Sequence, residues 1–259
     1  MNWVYTMNVI AAGALFLPIA AIVFSKISFH RTFPILLVYY SFAFIYNLMT
    51  LNFEKFDLHV INNTAVANNL LDGPLMLGFL TYLCFTKSQL KMMRGLIAGL
   101  LILTVIIVFF TGFNDDAVRI MLGPAVSAIF LFSCKFLSHY SNIIVRRPSS
   151  TGKTLMAAAL ISGYGTYAII YVLYYVVKIK AVDDTFLVYF LATIVSASCM
   201  AIGIYYEGKK IKRIKEVQRM RKELAELYAD EANSSSKRNK LLDDLLGFDP
   251  SQVVPGFRN

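Results

Sequence analysis

A carboxyl group and two carboxamides stand about one helical turn apart at Asn68, Asn69 and Asp72, inside an apolar stretch that runs from Thr64 to Thr86. On a helix, residues three and four apart share a face, so the three side chains project to one side. In a bilayer an aspartate costs roughly 2.5–3.5 kcal/mol even on the gentler insertion scales. Groups of that cost face a bundle interior, a water-filled cavity or a partner, where they bind a cation, carry a proton or hold a polar ligand. The next two residues, Gly73 and Pro74, predict a kink, and a kinked helix exposes backbone carbonyls that can add to such a site.

The elements that must position these groups are membrane helices. Of the 259 residues, 57% are hydrophobic and only 16% charged, against about 25% charged in an ordinary soluble domain. The mean hydropathy is +0.59. Apolar runs of about 20 residues, the length that crosses a bilayer, fall at Val4–Ser25, Phe33–Leu51, Thr64–Thr86, Met92–Thr111, Ala117–His139, Thr154–Val177 and Thr185–Tyr206. The expected fold is an all-α integral membrane protein, a seven-transmembrane-helix bundle over residues 1–207. The first run lacks the basic lead and cleavage signal of a removed secretory peptide and reads as a permanent helix.

The net charge of +9 reports topology before it reports a partner. Lys26 and Arg31, then Lys87, Lys91 and Arg94, then Arg146, Arg147 and Lys153 occupy alternate loops, and the chain beyond Gly208 is more basic still. The other loops hold Glu54, Lys55 and Asp57, then Asp115 and Asp116, then Lys178, Lys180, Asp183 and Asp184. The positive-inside rule therefore predicts an outside N-terminus and a cytosolic C-terminus, with Trp3 and Tyr5 in an interfacial belt. No nucleic-acid partner is expected; the basic residues are those of a membrane protein's cytosolic loops.

With that orientation, scattered polar residues gather in the outer half of the bundle. Tyr46 and Asn47 end the second helix, and Asn68, Asn69 and Asp72 begin the third. Tyr167, Tyr171, Tyr174 and Tyr175 belong to the sixth, and Tyr189, Thr193 and Ser196 to the seventh. The expected ligand- or ion-binding set is Asp72, Asn69, Asn68, Asn47 and Tyr171, with Arg119 the nearest candidate counter-ion. The alternative is a purely structural polar cluster, because asparagines also join membrane helices at about 1 kcal/mol each.

Beyond the bundle, residues 208–232 read as a basic juxtamembrane helix that touches anionic headgroups. Residues 233–259 read as a flexible tail that begins at Ser234-Ser235-Ser236 and carries a short amphipathic segment. Its Leu242, Leu245, Leu246 and Phe248 are candidates for docking a cytosolic or membrane protein partner, since so short a segment orders only on another surface.

Catalysis lacks its residues. His30, His59 and His139 are spread over both predicted sides, and neither a metal-ligand spacing nor a serine elbow is present. Cys84, Cys134 and Cys199 all lie in apolar segments, as small buried hydrophobes do. Gly152-Lys153-Thr154 has the ending of a phosphate loop but Arg147 where its first glycine belongs. A carboxylate on the third of seven helices resembles the microbial rhodopsins, yet Thr185–Tyr206 has no lysine for a retinal Schiff base. No cofactor is specified. Gly95 and Gly99 have the spacing of a close helix contact and suggest packing or dimerisation through the fourth helix.

The expectation is a non-enzymatic, receptor-like or accessory subunit of a membrane complex in the plasma or inner membrane. It has an outward-facing pocket around Asp72 for a small ligand or cation, and a cytosolic tail that docks a partner. The alternative is a proton- or cation-coupled small-solute transporter that uses Asp72.

Overall fold

The computed structural model describes residues 3–144, 150–173 and 183–246; for residues 4, 53, 183–186, 227 and 229–246 only the course of the backbone is described. Within them every regular element is helical. The α-helices are α1 (Trp3–Phe24), α2 (Phe33–Leu51), α3 (Leu58–Leu80), α4 (Lys87–Thr111), α5 (Asp115–Ile144), α6 (Thr151–Tyr171) and α7 (Asp183–Leu246). Short 3₁₀ turns at Phe53–Lys55 and Thr81–Leu83 flank α3.

Local chemistry sets several of these boundaries. The Asp57 carboxylate accepts from the backbone N–H of His59 and opens α3, and the Thr86 hydroxyl accepts from Gln89 N–H at the start of α4. Asn114 accepts from Ala117 N–H ahead of α5. Each supplies a partner to a backbone donor that the first turn of a helix leaves unused. At the other end of α4, Gly112 takes φ +84°, a conformation that stops a helix and that glycine adopts without steric cost.

Six helices are long and apolar enough to cross a membrane: α1, α2, α4, α5, α6 and the first part of α7. The chain is a multi-pass membrane protein by this measure. Side chains left outside the fold are those lipid would accept: on α4, Phe109 and Phe110 are 83% and 79% exposed. Hydroxyls on the helices bond back to their own backbone, Thr104 to Leu100 O, Thr166 to Ser162 O and Thr193 to Tyr189 O, which satisfies them where no water competes.

The helix missing from that set is α3, which carries the asparagines and Asp72. It packs against α2, α4 and α5, and from Asp72 to Leu80 all but one of its side chains are buried. Its second half is therefore enclosed by other helices, where a polar residue such as Asp72 is tolerated better than on a peripheral face, while Leu58, Val60 and Leu71 remain exposed. Helix α3 also begins six residues earlier than the expected span and ends at Leu80 rather than Thr86. At about 1.5 Å per residue, Asp72 therefore lies roughly 21 Å from the start of its helix instead of roughly 12 Å. The helix runs on through Pro74 without a break. Gly73 serves packing, since a Cβ there would stand 2.8 Å from the Cβ of Ala125 on α5.

Small residues likewise bring α6 and α7 together. A Cβ on Gly163 would lie 2.8 Å from Ser196 Oγ, and one on Gly152 would lie 2.9 Å from both Glu207 N and Gly203 O. At Gly95 and Gly99, by contrast, an added Cβ would meet nothing within 4 Å, so these glycines make no close helix contact within the chain.

The chain divides into two compact units, Met1–Lys210 and Ile211–Asn259. In the second, α7 continues to Leu246 and passes through Ser234, Ser235 and Ser236, where the sequence suggested a flexible joint. Apart from the buried Ile211, its described side chains are solvent-exposed and include the i,i+4 pairs Arg219–Glu223 (2.8 Å) and Lys222–Glu226 (3.7 Å).

Candidate functional site

A partly open cavity of about 140 Å³ lies among α1, α2, α3, α6 and α7. Helix α3 contributes Asn68, Asn69, Asp72 and Met76 to its wall, successive positions on one helical face. Helix α2 adds Tyr39, Tyr40, Tyr46 and Asn47, α6 adds Tyr164 and Tyr167, and α7 adds Tyr189, Thr193 and Ser196. Leu15, Ala43, Leu160 and Ala197 supply apolar wall between them.

Asp72 is 7% exposed. The Tyr164 hydroxyl donates to its Oδ1 at 2.6 Å, and the Tyr39 hydroxyl lies beside both groups. Next to it the Tyr167 hydroxyl donates to Asn69 Oδ1 at 3.3 Å. Asn47 turns its amide nitrogen back onto Ala43 O at 2.8 Å, which leaves its amide oxygen as an acceptor. Asp72 is the one charged side chain among the residues that line this cavity, and no Lys, Arg or His joins it. The acid is thus held by neutral hydroxyls, in surroundings that supply no fixed positive charge.

Four of the five residues expected at a site, Asp72, Asn69, Asn68 and Asn47, line one cavity. Tyr171 does not. Its hydroxyl donates to Arg119 O at 3.2 Å, and its ring packs over Gly123, where a Cβ would lie 3.0 Å from the phenol oxygen. It meets α5 because, although seven residues of helix return it to nearly the same face as Tyr164, they carry it about 10.5 Å further along the axis, to the last residue of α6. Arg119 is not among the cavity-lining residues either; the partner of Asp72 is a tyrosine. Tyr174 and Tyr175 lie outside the described residues, as does Phe248 of the docking segment. Leu242, Leu245 and Leu246 belong to the last turns of α7.

Sequence reasoning missed Tyr39, Tyr40 and Tyr164. The available signal was the i,i+3 spacing of Tyr164 and Tyr167 on α6, which matches that of Asn69 and Asp72 on α3.

A second buried carboxyl group was also missed. Glu207 on α7 is 2% exposed. Its Oε1 accepts from the Tyr82 hydroxyl at 2.7 Å and lies 3.6 Å from Lys210 Nζ, and its Oε2 is directed at Gly152 in the first turn of α6. Lys153 Nζ sits 4.9 Å and 5.2 Å from the ring centroids of Tyr82 and Tyr140, and Tyr140 donates to Leu83 O at 2.7 Å. On the other side of α7, Gly208 lets Ser25 approach, with Ser25 Oγ 2.9 Å from where a Cβ would stand. This cluster ties the end of the bundle that carries Lys26, Arg31, Lys153 and Lys210.

A second hollow, about 510 Å³ between α3 and α4, is lined by Ala67, Leu70, Leu71, Val105, Val108 and Phe109 with Thr104 and Phe113, and its chemistry suits a lipid chain. Among the described residues no group of three or more His, Cys, Asp or Glu is arranged to hold a metal ion. The chain matches no protein-family model, and no curated protein and no solved structure is significantly similar to it.

Proposed function

We propose that this chain is a non-enzymatic, receptor-like or accessory subunit of a complex in the plasma or inner membrane. Seven helices cross the bilayer, α3 at their centre, with the N-terminus outside and the C-terminus in the cytosol. A small ligand or cation occupies the Asp72 cavity from the outer side, and the tail beyond Gly208 docks a protein partner.

The observation that carries this reading is the composition of α7. Tyr189, Thr193 and Ser196 form part of the cavity wall, and the same helix runs without interruption to Leu246. The segment that lines the cavity is thus followed directly in sequence by the basic tail, the chain order that a receptor requires. The topology rests on the alternation of basic and acidic loops. The test is the native mass of the protein, extracted gently from its own membrane, with and without the residues after Gly208. An assembly heavier than the bare chain that disappears on truncation supports docking; equal masses that match the bare chain or a homo-oligomer reject it.

One observation favours a second reading, a proton- or cation-coupled solute transporter. Asp72 is buried, bonded to Tyr164 and without a cationic residue in the cavity wall, which is the setting of intramembrane acids that load and release a cation or proton. Proteoliposomes that take up solute against its gradient, and fail to do so with Asp72→Asn, would replace the first reading with this one.

A further inference from the structure

We infer that the Asp72 cavity binds a small organic ammonium ion, an amine or quaternary ammonium with short alkyl groups. The inference rests on the ligand-pocket reading above and names the ligand's chemistry. Three features of the cavity converge on it. The first is charge: one carboxyl group and no basic side chain among the lining residues exclude anions and leave a single positive charge as the complement. A buried carboxylate whose partners are only hydroxyls gains most from a ligand that brings the missing cation.

The second is aromaticity. Six phenol rings, those of Tyr39, Tyr40, Tyr46, Tyr164, Tyr167 and Tyr189, line the same cavity as that carboxyl. Aromatic cages with an acid recognise alkylammonium groups, whose charge is spread over methyls that an inorganic ion does not have; each well-placed ring contributes about 0.5–2 kcal/mol. Hard cations instead require six or more oxygen ligands in close geometry. Here the Oδ1 atoms of Asp72 and Asn69 already accept from Tyr164 and Tyr167, and Leu15, Met76 and Leu160 add aliphatic wall for alkyl groups.

The third is size. A cavity of about 140 Å³ is close to an apolar cavity of about 150 Å³ that admits benzene, so it takes roughly six or seven non-hydrogen atoms. The amide oxygen of Asn47 and the hydroxyl of Thr193 give such a ligand one further polar contact, as a hydroxyl on a short arm would use. A trimethylammonium group is presented both by free solutes and by a phosphatidylcholine headgroup, and the cavity chemistry is the same for both.

The full-length protein in phosphatidylglycerol nanodiscs, titrated with choline, its uncharged isostere 3,3-dimethyl-1-butanol or sodium chloride, tests this by thermal shift. A ligand that binds only the folded state raises the unfolding temperature in proportion to its saturation. The expected result is a saturable rise with choline, none with the isostere or with sodium at equal ionic strength, and no rise in Asp72→Asn. Tyr46→Leu and Tyr189→Leu each weaken the apparent choline affinity about tenfold, and they carry the test if Asp72→Asn does not fold. Nanodiscs of phosphatidylcholine that abolish the response to free choline assign the site to the headgroup; an unchanged response assigns it to a free solute. Equal shifts with choline and the isostere, or a shift with sodium alone, overturn the ammonium assignment and leave the pocket reading standing. If no solute shifts wild type, the ammonium assignment falls; if truncation after Gly208 also leaves the native mass unchanged, the receptor reading falls with it.

Discussion

Two buried carboxyl groups divide the bundle between them, and their surroundings differ in every respect except the first contact. Asp72 and Glu207 are 7% and 2% exposed, and each accepts a tyrosine hydroxyl bond, at 2.6 Å from Tyr164 and 2.7 Å from Tyr82. Beyond that bond Glu207 meets Lys210 at 3.6 Å and the first turn of α6. Large side chains fill the space around this end: Ile22, Ile27, Phe33, Phe79 and Leu83 are almost fully buried. Beyond its bond Asp72 meets a cavity. A buried acid is therefore not in itself a site. Glu207 has its counter-charge built in at an end filled by large buried side chains, and it reads as a clasp between helices. Asp72 has room and no counter-charge, and it reads as half of a pair whose other half arrives from outside.

The contrast can be broken most severely at the clasp. Gly203→Val places a side chain 2.8 Å from Met156 Cγ and 3.0 Å from Gly152 O, and backbone cannot yield as a side-chain tip does. The expected loss is about 3 kcal/mol or more, the upper range for overpacking, read as a large fall in the thermal midpoint in detergent. Glu207→Gln comes next. It keeps an acceptor for Tyr82 but strips Lys210 and Lys153 of their acid, at an expected cost of about 2 kcal/mol, between that of a surface and a fully buried pair.

The same isosteric change at the other acid separates the two ends. Asp72→Asn has no cationic residue in the cavity wall to strand, so ligand-free stability should move by less than about 1 kcal/mol, whereas the response to ligand should disappear. A fall as large as that of Glu207→Gln would make Asp72 a structural group and remove the distinction. Tyr164→Phe sharpens it further: the ring stays, one hydrogen bond to a carboxylate is lost, and the cost should be about 1.5 kcal/mol, the low end for a bond to a charged group. The smallest effect belongs to α4. Gly99→Ala enters open space and should stabilise the helix by a few tenths of a kcal/mol to about 1 kcal/mol, unless a second copy packs there, in which case native mass will fall.

Much of the site was legible because it violates the rule of its surroundings. An aspartate and two asparagines in an apolar run are conspicuous, and helical periodicity alone places Asn68, Asn69 and Asp72 on one face. Asn47 was legible for the same reason. Tyrosines are not conspicuous in a membrane helix, because the same residue serves interface, packing and cavity wall equally well. So Tyr39, Tyr40 and Tyr164 were overlooked, and Tyr171 was assigned to a cavity that it misses because it stands two turns beyond Tyr164, at the end of α6. Glu207 was hidden differently, at the head of a run that continues Lys209, Lys210, Lys212 and Arg213, where an acid looks like surface charge.

What the sequence by itself determined is the class of environment: 57% hydrophobic residues in helix-length runs can be accommodated only where lipid replaces water. It determined, too, that one polar trio would be kept from that lipid. Which helix would be enclosed, which rotation each would adopt and which side chains would therefore meet were decided by the tertiary structure. Those outcomes depend on close approaches between elements distant in the chain: Gly73 against Ala125, Gly163 against Ser196, Gly152 against Gly203. A hydropathy pattern records how apolar each face is. It does not record which neighbour the face will find, and the cavity around Asp72 exists only where five such faces converge.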